Sequence, residues 1–294
     1  MRGRKCKCAI VLAMVAISLG AKEAAFARET KMLEPATPWN VDWSQEVCAL
    51  RRGFKNGQAL DVFTIERFAP TAEFQFLVIS KDVESYTGGN KVTLSFGNNS
   101  PNTIVPMVAK TQDGRHSLIT GSVGLVGLPE TMKHDDEPWP EVSPATEAAV
   151  TFATLKVPGR DLVFHTGPMD KPFAALRACT ADLVKSWGLD PAQQASLTRK
   201  PTPLTKPAGW LTSGDYPKAM AVAGKQAQVS FRLMVDASGK PSSCVVQRSY
   251  NDPKFDTTTC DALMRRARFL PALDKDAKPV ASYYINLARW VMFN

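Results

Sequence analysis

The sequence predicts an α+β chain. A β-rich N-terminal domain of sandwich or barrel-like form comes first, then a small C-terminal domain in the order α-β-β-α-β with a three-stranded antiparallel sheet. Three observations carry this prediction. Before residue 200, apolar residues alternate or cluster in short β-branched and aromatic runs, broken by turn signals such as Thr87-Gly88-Gly89-Asn90. One segment there, from Asp170, changes to three- and four-residue spacing. After the proline-bearing stretch KPTPLTKPAG (200–209), helical and strand periods alternate.

The first 27 residues read as a secretory leader. Arg2, Arg4, Lys5 and Lys7 form a basic head, an apolar run extends from Cys8 to Leu19, and Ala25-Phe26-Ala27 supplies the small residues that a signal peptidase requires. Spanning a bilayer takes about 20 apolar residues. The expectation is therefore cleavage after Ala27 and a periplasmic protein, with inner-membrane anchoring and membrane contact only if the segment is retained. Arg2, Arg4, Lys5, Lys7 and Lys22 against Glu23 account for half of the formal net charge of +8. Beyond Ala208 there are twelve Lys/Arg against seven Asp and no Glu, a basic end that suits an acidic partner or a solvated face. Nucleic acid is not an expected partner of an exported chain.

Cys6 and Cys8 leave with the leader, and Cys48, Cys179, Cys244 and Cys260 remain. An even number in an oxidising compartment reads as disulfides, with three pairings open. No Cys-x-x-Cys pair supports redox catalysis, and His116, His134 and His165 lie at no metal-ligand spacing to a cysteine. Gly-x-Ser-x-Gly, His-Glu-x-x-His and Walker-type glycine loops are absent from the sequence, so no enzyme, metal or other cofactor is expected. His134-Asp135-Asp136-Glu137 reads as a solvated loop, and Arg265, Arg266 and Arg268 as the wet face of an amphipathic helix.

Strands are expected in 59–68, 73–80, 91–96, 102–109 and 148–157, forming an antiparallel sandwich or barrel-like sheet. One helix closes this unit: Asp170 as N-cap, Pro172 in the first turn, then Phe173, Leu176, Cys179, Leu183, Val184 and Trp187, with Gly188 and Pro191 as the stop. Cys179 lies on or beside the buried stripe, and pairing it with Cys48 would tie both ends of the unit, 28–199, together. Residues 200–209 read as a short extended linker to a second unit, 210–294.

In that second unit Asp215-Tyr216-Pro217 opens a short helix. Val229, Phe231, Leu233 and Val235 then face one side of a strand, with Ser230, Arg232 and Met234 on the other. The turn at Asp236–Gly239 leads into a second strand at 240–249, completing a hairpin. A helix follows behind an Asp256 cap, carrying Cys260, Leu263, Met264 and Ala267, and Pro271 ends it after Phe269-Leu270. Residues 279–293 read as the third strand.

Tyr216-Pro217, the run VSFRLMVDASGK, Phe255-Asp256, RRARFLPA, Lys278-Pro279-Val280 and Arg289-Trp290 occur here in one order and spacing. In this the segment closely resembles the TonB C-terminal domain. The resemblance implies a binding module: such domains contact outer-membrane receptors in the periplasm by pairing an exposed sheet edge with an extended peptide. The implied edge is the last strand, at Tyr283, Tyr284, Ile285, Asn286 and Leu287; the alternative is that the N-terminal unit covers it. The expected partner is an outer-membrane receptor or another envelope protein, with a second copy of the chain as a further candidate. Within this layout Cys244, on the second strand, and Cys260, on the following helix, are placed to bridge strand to helix, a staple worth about 3 kcal/mol in the chain-entropy picture. An energy transducer of the TonB type also keeps a membrane helix with a polar contact and a long proline-rich arm. Here the apolar segment has no histidine and a folded unit replaces the arm. The alternative function is a soluble periplasmic scaffold or wall-associated binding protein without energy transduction.

Overall fold

The computed structural model describes residues 28–128, 139–250 and 252–292. The expected leader and the His134–Glu137 run lie outside the described residues. Strands β1 (Glu29–Leu33), β2 (Asn40–Trp43), β3 (Cys48–Asn56), β4 (Ala59–Arg67), β5 (Phe74–Ile79), β6 (Val92–Phe96), β7 (Asn102–Ile104), β8 (Met107–Lys110), β9 (His116–Val123), β10 (Ala153–Val157) and β11 (Arg160–Phe164) form two sheets. One has the order β1-β11-β10-β6-β7 and the other β2-β3-β4-β5-β9-β8. They face each other as a sandwich: Phe54, Phe63 and Phe74 of the second sheet meet Phe164 and Phe96 of the first at ring separations of 5.1 to 5.4 Å. Pairing is antiparallel except between β1 and β11, which run parallel.

Helix α1 (Pro144–Ala149) starts where Ser143 Oγ accepts from the Thr146 amide, and it takes the first residues of the expected 148–157 strand, so that β10 begins only at Ala153. The expected 102–109 strand is two strands, β7 and β8, separated at Val105-Pro106, because proline has no N–H to give a ladder. Helix α2 (Asp170–Ser186) buries Phe173, Leu176, Cys179, Leu183 and Val184, the stripe read from spacing. Its cap residue is Met169, and Asp170 lies in the first turn, where the helix dipole favours an acid. Cys179 is disulfide-bonded to Cys48 at the start of β3. A short helix α3 (Pro191–Ala195) follows.

Residues 200–209 are held against the C-terminal module rather than extended in solvent. Within them β12 (Thr202–Pro203) pairs with β15 (Phe269–Leu270), and the Leu204 amide donates to the Arg268 carbonyl at 2.9 Å. Trp210, 2% exposed, packs its ring on Phe269 and Tyr284.

The module itself has helix α4 (Lys218–Val222), β13 (Ala227–Val235), β14 (Pro241–Tyr250), α5 (Lys254–Arg266) and β18 (Ser282–Trp290), with the three long strands in the antiparallel order β14-β13-β18. The last strand is shorter than expected because Pro279-Val280 forms a separate strand, β17, paired with β16 (Ala272–Leu273). Val229, Phe231, Leu233 and Val235 join Phe255, Leu263 and Trp290 in a second core, and Cys244 on β14 is disulfide-bonded to Cys260 on α5. Asp256 is not the cap but a first-turn residue of α5, where it accepts from Ser249 Oγ. Gly239 is required twice over: its φ is +82°, and a Cβ there would stand 2.0 Å from the Phe269 carbonyl oxygen.

Candidate functional site

Both faces of β13 are buried, which no alternating strand achieves without a second partner. The second partner is the N-terminal sandwich. Gln228 Nε2 donates to the Thr120 carbonyl at 2.9 Å, and Arg232 Nη1 lies 2.6 Å from Glu46 Oε2. On β14, Arg248 Nη2 and the Tyr250 hydroxyl reach the two oxygens of Glu66 at 2.9 and 3.0 Å. Gln247 is the extra residue of a β-bulge opposite Ser230 and Phe231, and its Nε2 donates to the carbonyls of Glu46 and Phe68. Arg232 also stacks its guanidinium 4.2 Å from the Trp187 ring centroid, and Trp187 meets Tyr283 edge-on at 5.0 Å. Burial holds the Arg232 pKa below its ordinary value, with Glu46 opposing that shift.

The edge of the module opposite β14 is β18. Among the described residues no strand pairs with its outer side. Two side chains identify which backbone groups point outward. Gln194 of α3 donates to the Ala281 carbonyl at 3.1 Å, while Asn286 Oδ1 accepts from the Leu287 amide at 2.7 Å. Residues two apart share an edge in a strand, so the N–H and C=O groups of Tyr283 and Ile285 lie on the same outer side, between these two plugs. Gln194 is fixed by a second bond, from Ser282 Oγ at 2.6 Å, and Asn286 by its donation to the Tyr284 hydroxyl at 2.7 Å.

This open segment borders a cleft of about 770 Å³ between module and sandwich. Ligand pockets commonly hold roughly 300–1,000 Å³. Residues 282–287 and Arg289 form one wall; Phe68, Glu73, Phe74 and Gln75 with Ile104, Trp139 and Glu141 contribute to the other. Burial raises the Glu73 carboxyl above its ordinary range, against the pull of Thr71, Lys200 and Arg67. The Tyr283 phenol is pushed up to about 12, first by burial and then by the Glu73 charge.

Tyr283, Tyr284, Ile285, Asn286 and Leu287, the edge implied by the resemblance, therefore all lie on β18 and line one cleft. Cys48, Cys179, Cys244 and Cys260 form the two disulfides anticipated. Arg266 is not a freely solvated charge: its Nη1 and Nη2 bond Asp215 at 2.6 and 2.9 Å, which holds the Asp215 carboxyl well below the usual range. Gln75, Gln194, Gln247 and Glu73 escaped sequence reasoning. Each is one polar residue in an ordinary turn, helix or strand, with no local signal that a distant segment packs on it.

Residues 213–291 match the family model described as Gram-negative bacterial TonB protein C-terminal. The resemblance of the C-terminal module to that domain is thereby shown, and no family model matches the N-terminal part. Comparison with curated proteins and with solved structures gives no match. Domains of this family are protein-interaction modules of the Gram-negative envelope that contact outer-membrane proteins. Two disulfides fit an exported chain, and among the described residues no helix is long and apolar enough to cross a membrane.

Proposed function

We propose that this protein acts in the periplasm by adding an extended segment of an outer-membrane receptor, or of another envelope protein, to the outer edge of β18. The observation that carries the reading is the unpaired segment at Tyr283 and Ile285, bounded by the Gln194 and Asn286 plugs and open to the cleft. An added strand gains main-chain hydrogen bonds there, and the neighbouring side chains read its sequence. A photo-crosslinking amino acid at Asn286, illuminated in whole cells, should capture an outer-membrane or other envelope protein. Ile285→Pro, which removes an outward N–H, should abolish that adduct. Equal crosslinking from Lys240, on the hairpin turn, or an adduct that survives Ile285→Pro, refutes strand addition.

A second reading is a soluble scaffold in which the module's sheet docks its own N-terminal sandwich. The polar contacts of Gln228, Arg232, Gln247 and Arg248 support it. Mass spectrometry of the protein from fractionated envelope separates the roles: a chain beginning at Arg28 in the soluble fraction excludes energy transduction, whereas retention of residues 1–27 in the inner membrane favours it.

A further inference from the structure

Where the sandwich meets the module, the cleft carries unsatisfied groups of one chemical kind. Gln75, on β5, and Gln247, in the β14 bulge, are 3% and 6% exposed, and both line the cleft. Each commits its amide nitrogen to main-chain carbonyls, and the Oε1 of each is buried without a hydrogen-bond partner among the described residues. Gln228, whose Nε2 shares the Thr120 carbonyl with Gln75, leaves a third such oxygen at the same junction. Glu73, two residues before Gln75, adds a half-buried carboxylate, and among the described residues no Lys or Arg nitrogen lies within 4.0 Å of it. No base of the lining bonds these acceptors: Arg289 donates to the Val105 carbonyl, and the exposed Lys200 pulls on the Glu73 carboxyl only from beyond 4.0 Å. The buried unpartnered donors of Arg67, Trp187, Arg232 and Arg248 belong to residues outside the lining, and Arg67 acts on Glu73 only from beyond 4.0 Å.

Buried acceptors are costly to leave without a donor, and a half-buried carboxylate favours a cation beside it. We propose that the cleft receives one extended segment of a partner protein that pairs with β18 and directs a lysine or arginine side chain at Glu73, Gln75 and Gln247. This rests on the strand-addition reading above and adds the partner's chemistry to it. An ammonium offers three donors and a guanidinium five, enough to serve the carboxylate and both amide oxygens. Side chains of an added strand alternate between the α5 face and the sandwich face. The basic residue therefore occupies a sandwich-facing position, and the N-terminal sandwich becomes the specificity-determining half of the site.

The test is a random heptapeptide display library panned against the purified full-length protein and, in parallel, against Ile285→Pro. The consensus peptide is then synthesised with Lys, Leu or Glu at its most selected position and its affinity measured by fluorescence anisotropy. Peptides lost on Ile285→Pro should carry Lys or Arg at one position, and exchange to Leu or Glu should weaken binding at least tenfold. Glu73→Gln should erase that preference and Glu73→Lys should turn it toward the Glu peptide, with thermal melts showing both variants folded; if only Glu73→Gln folds, its result decides. Edge-dependent peptides without a basic position, or a preference untouched by the Glu73 variants, overturn this inference while strand addition stands. A library with no edge-dependent peptide overturns both.

Discussion

On one face of β13, Val229, Phe231, Leu233 and Val235 pack toward α5; on the other, Gln228, Ser230 and Arg232 pack toward the sandwich, and all seven are at most 5% exposed. Burial is equal, but the physics differs. The apolar face gains by removing surface from water, without regard to direction, and it tolerates small shifts. On the polar face a buried donor gains only from an acceptor at a fixed place, so Thr120 and Glu46 opposite β13, with Phe68 and Glu66 opposite β14, fix the docking geometry. The first face makes the module fold. The second fixes where the sandwich stands, and thereby leaves a cleft beside β18.

The most severe way to break this contrast is on the apolar face. Phe255, fully buried with its ring 5.5 Å from Tyr216 and 5.6 Å from Trp290, should cost about 3–5 kcal/mol when changed to Ala, read by urea titration with tryptophan fluorescence. A loss below about 1 kcal/mol would show that this face does not hold the module together. Next, replacing Cys244 and Cys260 together by Ser should cost about 3 kcal/mol, because the bridge restricts a short loop of the unfolded chain.

A smaller effect, of about 1.5–3 kcal/mol, is expected for Arg232→Ala, which leaves Glu46 without its charged donor and Trp187 without its stacked cation. Here the distribution matters more than the size. Hydrogen exchange should rise on both sides of the interface, at β13 and around Glu46, while α5 stays protected; loosening of α5 would mean that the two faces are not separable.

The smallest effect is acid-dependent. Arg266 depresses the Asp215 pKa in the folded state, so this contribution is complete above about pH 4, where the unfolded chain's Asp is also ionised, and fades as pH falls through the folded pKa. Asp215→Asn should flatten the acid limb of stability slightly. A steeper limb in the variant would reverse the assigned sign.

The legible parts of the site were those with a local signature. Phe231 and Leu233 announced a strand face, Leu176 and Leu183 a helix stripe, and the Tyr283–Leu287 edge followed from a resemblance carried by six short motifs. Ser230 and Arg232 read only as the other face of the same strand, since strand alternation says that two faces differ and not what covers the polar one. The partners that bury that face, Thr120 and Glu46, lie more than a hundred residues away. The plugs Gln194 and Asn286 are ordinary polar residues until a strand end and a free amide are placed beside them.

The sequence by itself determined the strand and helix periods, the α-β-β-α-β module and the cysteines available for two staples, because each follows from side-chain spacing along a local backbone. Only the tertiary structure decided that the polar face of β13 is an interface, that residues 200–209 lie against the module, and that Glu73 and Gln75 stand across a cleft from Ile285. Those outcomes depend on which distant donor meets which acceptor, and spacing along the chain carries no term for that.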